Sequence, residues 1–240
     1  QDIGEILATR IPVTLSLTIP ALIISLILGI LIGVLCAVHR GSALDQIMTV
    51  LMTTMNGIPV FWIGIMMMYF FGVKLGWLPL MGYTSPFEDF GQYVAKAVMP
   101  VTIMAFGPLS MGPIISISRH VRNGILDTLS QDYIRTARAN GLSENSVKYK
   151  HALKNSLIPV ITLIALQVRS LVGGSLLGEQ VFSIAGMGRL IMVSVMNKDY
   201  LVVQATVFVI SLFVVACNLI LDISYGLVDP RIRLTGGKGR

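Results

Sequence analysis

Apolar residues in this sequence are gathered into runs too long for a water-soluble helix or strand to bury. Five can be delimited, from about Val13 to Val38, Ile47 to Phe71, Val98 to Ile117, Ile158 to Leu177 and Leu201 to Ile223. Each meets the length of about 20 mostly apolar residues that a helix needs to cross a hydrocarbon core about 30 Å thick. None alternates polar and apolar residues with period two, as a membrane barrel strand does, so helices are the spanning element. Composition agrees: 54% of the 240 residues are hydrophobic and 12% are charged, about half the charged share of a soluble domain. The expected fold is all-α, a polytopic membrane helical bundle forming one domain over 1–240, with membrane lipid as part of the folding environment.

Lysine and arginine set the orientation. With the N-terminus outside, Arg40, Arg119, Arg122, Arg135, Arg138, Lys148, Lys150, Lys154 and the basic tail from Arg231 to Arg240 fall on the cytoplasmic side. Arg10, Lys74, Lys96, Arg189 and Lys198 remain outside, and the C-terminus is cytoplasmic. Topology thus accounts for the net charge of +6, and nucleic acid is not an expected partner. Cys36 and Cys217 lie inside apolar runs, which suits packing rather than a disulfide, and the scattered His39, His120 and His151 give no metal site. No Gly-x-x-x-x-Gly-Lys-Ser/Thr phosphate loop is present, because Gly236-Gly237-Lys238-Gly239 lacks its spacing and its hydroxyl. ATP must therefore bind another polypeptide. Gln1 to Arg10 is polar, and the run after it is too long for the apolar part of a cleavable signal. Five spans with an external N-terminus is an awkward count, so a further helix is expected to precede Gln1.

The connecting segments differ in kind. His39 to Gln46 reads as a short cytoplasmic turn, with Gly41 and Ser42 breaking one helix and Asp45 capping the next. Gly72 to Lys96 is external, and its Trp77, Tyr83 and Tyr93 suit the headgroup level. The long cytoplasmic segment 118–157 reads as two short helices with a hinge. Ser130 caps a helix running to about Asn140, Gly141 supplies the left-handed residue that closes it, and Leu142 folds back on it. Gly178 to Tyr200 is external yet strongly apolar, which predicts a re-entrant turn or short helix packed on the bundle and broken by Gly186 and Gly188.

Several of these stretches occur together in one known family. The segment Asp132-Tyr133-Ile134-Arg135-Thr136-Ala137-Arg138-Ala139-Asn140-Gly141-Leu142, followed by Leu157-Ile158-Pro159, resembles the EAA loop of ABC importer permeases in the dipeptide, oligopeptide and nickel branch. Arg135, Thr136 and Ala137 occupy the positions of the Glu-Ala-Ala triplet, with Gly141 and Pro159 in register. Gly178-Glu179-Gln180-Val181-Phe182 with Gly186-Met187-Gly188-Arg189-Leu190 resembles the last external loop of that family, and Asp229-Pro230-Arg231-Ile232-Arg233-Leu234 its tail. Leu75-Gly76-Trp77-Leu78-Pro79 also fits.

The resemblance implies a type I ABC importer transmembrane domain in the bacterial inner membrane, itself a transport subunit and not an enzyme. It implies a second homologous permease, two cytoplasmic ATPase subunits carrying ATP and Mg, and an extracytoplasmic solute-binding protein. The ATPases would dock at Arg135, Thr136, Ala137, Arg138, Gly141 and Leu142. The solute would be a di- or oligopeptide, with a glutathione-like molecule or a nickel or other metal chelate as alternatives. The N-terminal span of the family would precede Gln1.

Polar residues at membrane depth are candidates for the translocation pathway. Arg169 lies 11 residues after Ile158, about 16 Å into the fourth run at 1.5 Å per residue. A charge there costs roughly 3 kcal/mol or more, so it faces protein or a water-filled route, as a pathway residue or as a charge paired within the assembly. Gln167 and Asn56 are further candidates, with bridging between helices as the alternative. Phe182 and Met187, in the apolar external segment, are the expected gate. A secondary transporter working without ATPases is the rival function, but only Arg169 is deep and no inverted repeat is evident.

Overall fold

The structure is a computed structural model and describes residues 2–106, 113–143 and 176–228. Helix α1, Ile3–Val38, is apolar on every side. It starts ten residues before the apolar run because Asp2 accepts the Gly4 N–H and provides the cap. At 1.5 Å per residue α1 is about 54 Å long, so its first turns extend past the hydrocarbon core.

The second apolar run is not one straight helix. Helix α2, Ala43–Gly57, and helix α3, Val60–Met67, which continues as a π-helical stretch Met68–Lys74, are bent by 100° at their junction. The physical cause is the Ile58-Pro59 step: proline has no N–H for the ladder and pushes the residue before it into extended backbone, and Ile58 has φ −88° and ψ 130°. The third run is likewise shared between two helices, α4, Phe90–Phe106, and α5, Pro113–Leu129. Helix α6, Asp132–Ala139, follows. Residues 176–181 are helical, and helices α7, Met187–Met196, and α8, Tyr200–Val228, complete the described chain. The expected fourth run lies almost entirely outside the described residues.

Helices α1 and α5 form the central pair. Ser25, Gly29, Gly33 and Ala37 recur every fourth residue along α1 and are buried. A Cβ on Gly29 would lie 2.8 Å from Ile117 Cβ, and one on Gly33 would lie 2.7 Å from the Ser118 carbonyl oxygen. Small residues at this spacing let two backbones approach, which is how helices associate where lipid removes the hydrophobic drive. Around this pair Leu17, Ala21, Met99, Ile103, Ile114, Phe182 and Ile184 make the largest buried cluster.

Outward surfaces are apolar. Helix α8 leaves Val207, Phe208, Leu212, Val215 and Leu219 exposed, with only 11% of its most apolar stretch buried and a mean hydropathy of 2.4. Among the described residues, α1 and α8 are each long and apolar enough to cross a membrane, and the bent α2–α3 pair makes a broken span or a re-entrant loop. The two tyrosines of the external segment bond to α1. Tyr93 is buried and its hydroxyl donates to the Ser16 carbonyl, while the Tyr83 and Ser16 hydroxyls lie 3.0 Å apart. Both rings staple the 72–96 segment to α1, and Trp77 alone of the three is largely exposed.

Candidate functional site

Two constructions stand at opposite ends of the α1–α5 pair. At one end α5 gives way to α6 through a tight turn. Ser130 does not cap α6: its hydroxyl donates to the Asp127 carbonyl (2.7 Å) and closes α5, leaving Gln131 at the cap position without a side-chain bond. Gly141 has φ +81°, the left-handed conformation that glycine enters without a Cβ clash, and its N–H donates to the Arg138 carbonyl.

Ile134 is fully buried and anchors α6, whereas Tyr133, Arg135, Thr136, Arg138 and Leu142 are exposed. Leu142 therefore does not fold back, as its sequence position suggested; it adds an apolar contact to the outer face. Arg135 and Asp132 approach to 3.8 Å, but their side chains are 79% and 97% exposed, so the pair adds little rigidity. The backbone of Ala137 lies within α6.

The α5 helix that leads into this elbow is tied to α2 by an ion pair. Arg122 on α5 donates through Nε to Asp45 Oδ1 and through Nη2 to Asp45 Oδ2, both at 2.9 Å. Asp45 also accepts the Gly41 N–H, which fixes the turn between α1 and α2, and Ser42 rather than Asp45 occupies the α2 cap. The carboxylate is buried and lies before the apolar part of α2. The Arg122 hydrogen bonds hold its pKa below the ordinary carboxylate value. The fork thus joins α5 to α2, and the Gly41 bond extends the link to the turn after α1.

At the far end the apolar segment 176–196 closes over the bundle. Phe182 and Met187 are buried, at 2% and 4% exposure. Phe182 packs in the central cluster, and its carbonyl accepts from Gly82 N–H. The polar centre is Glu179, which is completely buried. Its Oε1 accepts from the Thr14 hydroxyl (2.7 Å) and its Oε2 from the Arg189 N–H (3.0 Å); Thr14 in turn accepts the Met187 N–H (2.8 Å). Gly186, the cap residue of α7, makes no side-chain cap bond. Thr14 and Glu179 therefore supply the acceptors for first-turn N–H groups, and the carboxylate meets the positive end of the helix dipole.

Gly186 and Gly188 allow this packing. A Cβ on Gly186 would collide with the Glu179 carboxylate, and one on Gly188 with the Leu176 backbone. Gly186 ends the preceding turn, but Gly188 lies within α7 and does not break it. Two guanidinium groups brace the turn, Arg10 Nη1 donating to the Ala185 carbonyl (3.0 Å) and Arg189 Nη1 to that of Ser183 (2.7 Å). Ser183 has φ +53°, an uncommon conformation for a residue with a side chain, held by these contacts.

Glu179 and Thr14 escaped the sequence reading. The available signal was an acidic residue inside an otherwise apolar segment, but its acceptor role depends on a helix 165 residues away. Asn56, a pathway candidate, is the next-to-last residue of α2 at the α2–α3 bend, half-buried, with a buried Oδ1 that has no hydrogen-bond partner among the described residues. Nearby, Thr53 Oγ1 accepts from Arg119 Nη2 (3.0 Å). Arg169, Gln167 and the Leu157-Ile158-Pro159 step lie outside the described residues.

Comparison with known proteins places this architecture. Residues 29–234 match the family described as "Binding-protein-dependent transport system inner membrane component". The oligopeptide transport system permease protein AppB of Bacillus subtilis (strain 168) is 37% identical over 232 residues, covering 96% of this chain and 72% of that protein. The probable peptide ABC transporter permease protein y4tP of Sinorhizobium fredii is 36% identical over 229 residues, covering 95% of this chain and 72% of that one. The glutathione transport system permease protein GsiC of Salmonella choleraesuis is 38% identical over 235 residues, covering 97% and 72%. In fold, the chain is similar to the inward-facing MetNI methionine ABC transporter, with a TM-score of 0.71 and 19% identity over 94% of this chain and 97% of that one. With the family match running through most of the chain and relatives above 30% identity, the protein belongs to the binding-protein-dependent transport system inner membrane components, the permease subunits of ABC importers.

Proposed function

We propose that the chain is the permease subunit of an ATP-driven importer of di- or oligopeptides, working with a second permease, two ATPases that hold ATP and Mg, and an external solute-binding protein. The observation that carries this reading is the exposed α6 elbow, capped by left-handed Gly141 and rooted in the Arg122–Asp45 fork, at the opposite end from a plug closed over Glu179. An ATPase gripping Tyr133, Arg135, Thr136, Arg138 and Leu142 would push on α6, and the fork would pass that displacement to α1 and α2. The C-terminus and elbow would then be cytoplasmic. This chain binds no nucleotide and catalyses no reaction.

The relatives named for oligopeptide, peptide and glutathione transport favour a small peptide as solute; glutathione is itself a tripeptide. Phe182 and Met187 act as the outer gate by their burial in the closed plug. Asn56 lines the pathway, since its unmatched acceptor at a helix bend favours a passing donor over a bridge to a neighbouring helix. Arg169 and Gln167 are assigned to the same pathway on sequence grounds alone.

The test is reconstitution. Co-expressed permeases and ATPases in liposomes should take up peptide only with ATP and binding protein, and Gly141→Pro should release the ATPase on purification. Peptide flux through this chain alone, without ATPase, would refute the reading. Wild-type uptake after Phe182→Asp together with Met187→Asp would refute the gate.

A further inference from the structure

The plug end carries positive charge that no acidic side chain pairs with among the described residues. Arg10 and Arg189 are half-buried, and each uses one Nη on a carbonyl of the 183–185 turn. A guanidinium has five N–H donors. Among the described residues the ion pairs are Arg122–Asp45 and Arg135–Asp132, so neither Arg10 nor Arg189 has an acidic partner within 4 Å there. Glu179, behind Gly186, directs its carboxylate to the Thr14 hydroxyl and the Arg189 backbone N–H.

Both arginines line one cavity of about 180 Å³, with Ala185, Gly186, Leu190 and Val193. Arg10 and Leu190 also line a neighbouring cavity of about 450 Å³, whose other walls are Glu5, Ile6 and Thr9. The second alone falls in the range of small-ligand pockets, roughly 300–1,000 Å³. Two planar cationic forks beside one cavity fit a carboxylate, which each can bind through paired N–H donors. Glu5 makes a bare anion a poorer occupant than a solute that carries an ammonium as well. A zwitterion satisfies both ends of the double cavity.

We infer that the Arg10–Arg189 cavity receives the C-terminal carboxylate of an unblocked peptide at the mouth of the importer, with its amino end towards Glu5. The inference rests on the peptide-importer reading and names the group recognised. It also gives the plug a trigger, because a carboxylate drawing the two guanidinium groups inward competes with the Ser183 and Ala185 carbonyls that hold the turn closed.

The experiment is arginine footprinting of the assembled complex in nanodiscs of zwitterionic lipid. Phenylglyoxal labels guanidinium groups, and peptide mapping reads Arg10 and Arg189 against the exposed Arg135. Millimolar dialanine should slow labelling of Arg10 and Arg189 by about threefold, the effect of a ligand at about twice its Kd, and leave Arg135 unchanged. Dialanine amide should not protect. Equal protection by the amide or by inorganic phosphate, or no protection by dialanine, would overturn the inference.

Transport separates this from the parent reading. In proteoliposomes the Arg10→Gln, Arg189→Gln double variant should lose at least about tenfold in dialanine uptake, and Arg10→Lys with Arg189→Lys should lose less, since charge remains while the fork is gone. Wild-type uptake by the double glutamine variant overturns the site while leaving the importer intact. Absence of peptide uptake by the wild type sinks the importer reading, and the footprint on that same wild-type protein still decides the cavity without any variant having to fold.

Discussion

Replacing Asp45 by Asn tests whether the elbow is anchored as a unit. The wild-type carboxylate accepts two Arg122 N–H bonds at 2.9 Å and the Gly41 N–H at 3.0 Å. Removing one member of a buried ion pair costs about 3–5 kcal/mol because the other charge is stranded. Here the Asp45 side chain is 6% exposed but that of Arg122 is 26% exposed, so water recovers part of the loss. About 2–3 kcal/mol is the expected net destabilisation for Asp45→Asn or Arg122→Gln.

The single substitutions should lower the apparent Tm of the lipid-embedded complex, by roughly 2–4 °C per kcal/mol. The double variant should be no worse than the weaker single, because each substitution already breaks the same fork. A double-mutant cycle should give a coupling of at least about 1.5 kcal/mol, well above the additivity error of roughly 0.5 kcal/mol. If the two losses simply add, Asp45 and Arg122 are independent, and the mechanical link between α6 and the spans is refuted. Under the same conditions the single variants should retain bound ATPase while peptide uptake falls, since α6 itself is untouched.

Glu179→Ala should free the Thr14 hydroxyl and the Arg189 N–H, and amide exchange at residues 187–190 should quicken about 5- to 30-fold, the equivalent of a helix cap worth roughly 1–2 kcal/mol; unchanged exchange would show that the cap is not needed. Gly186→Ala should give the same exchange phenotype by displacing the carboxylate, and protection equal to wild type would contradict the close packing. Gly33→Leu should separate α1 from α5 and cost about 3 kcal/mol or more, read as loss of folded protein by fluorescence size exclusion. Gly141→Ala, at φ +81°, should cost about 1–2 kcal/mol locally and weaken ATPase retention on the purified permease, whereas undiminished retention would argue that the turn is not required.

How much could be read without coordinates depended on whether the cause was local. Gly141 was legible because left-handed backbone excludes most side chains, and the apolar plug because an apolar segment outside the bilayer needs cover. Ser130 and Leu142 were misjudged: the Ser130 hydroxyl bonds the Asp127 carbonyl of α5 instead of capping α6, and Leu142 stays 41% exposed. The bend after α2 was not read from the apolar run, which continues across it from Ile47 to Phe71; the Ile58-Pro59 step was its visible trace.

By itself the sequence determined a helical membrane protein, because a bilayer leaves no other use for runs this long and no partner for an unpaired backbone. It also determined the left-handed turn at Gly141. Tertiary structure alone decided which polar side chains matter, because the partners lie far apart along the chain: Asp45 and Arg122 are 77 residues apart, Thr14 and Glu179 165. A hydrogen bond is satisfied within about 3 Å in space, and no local pattern records which distant helix will arrive there.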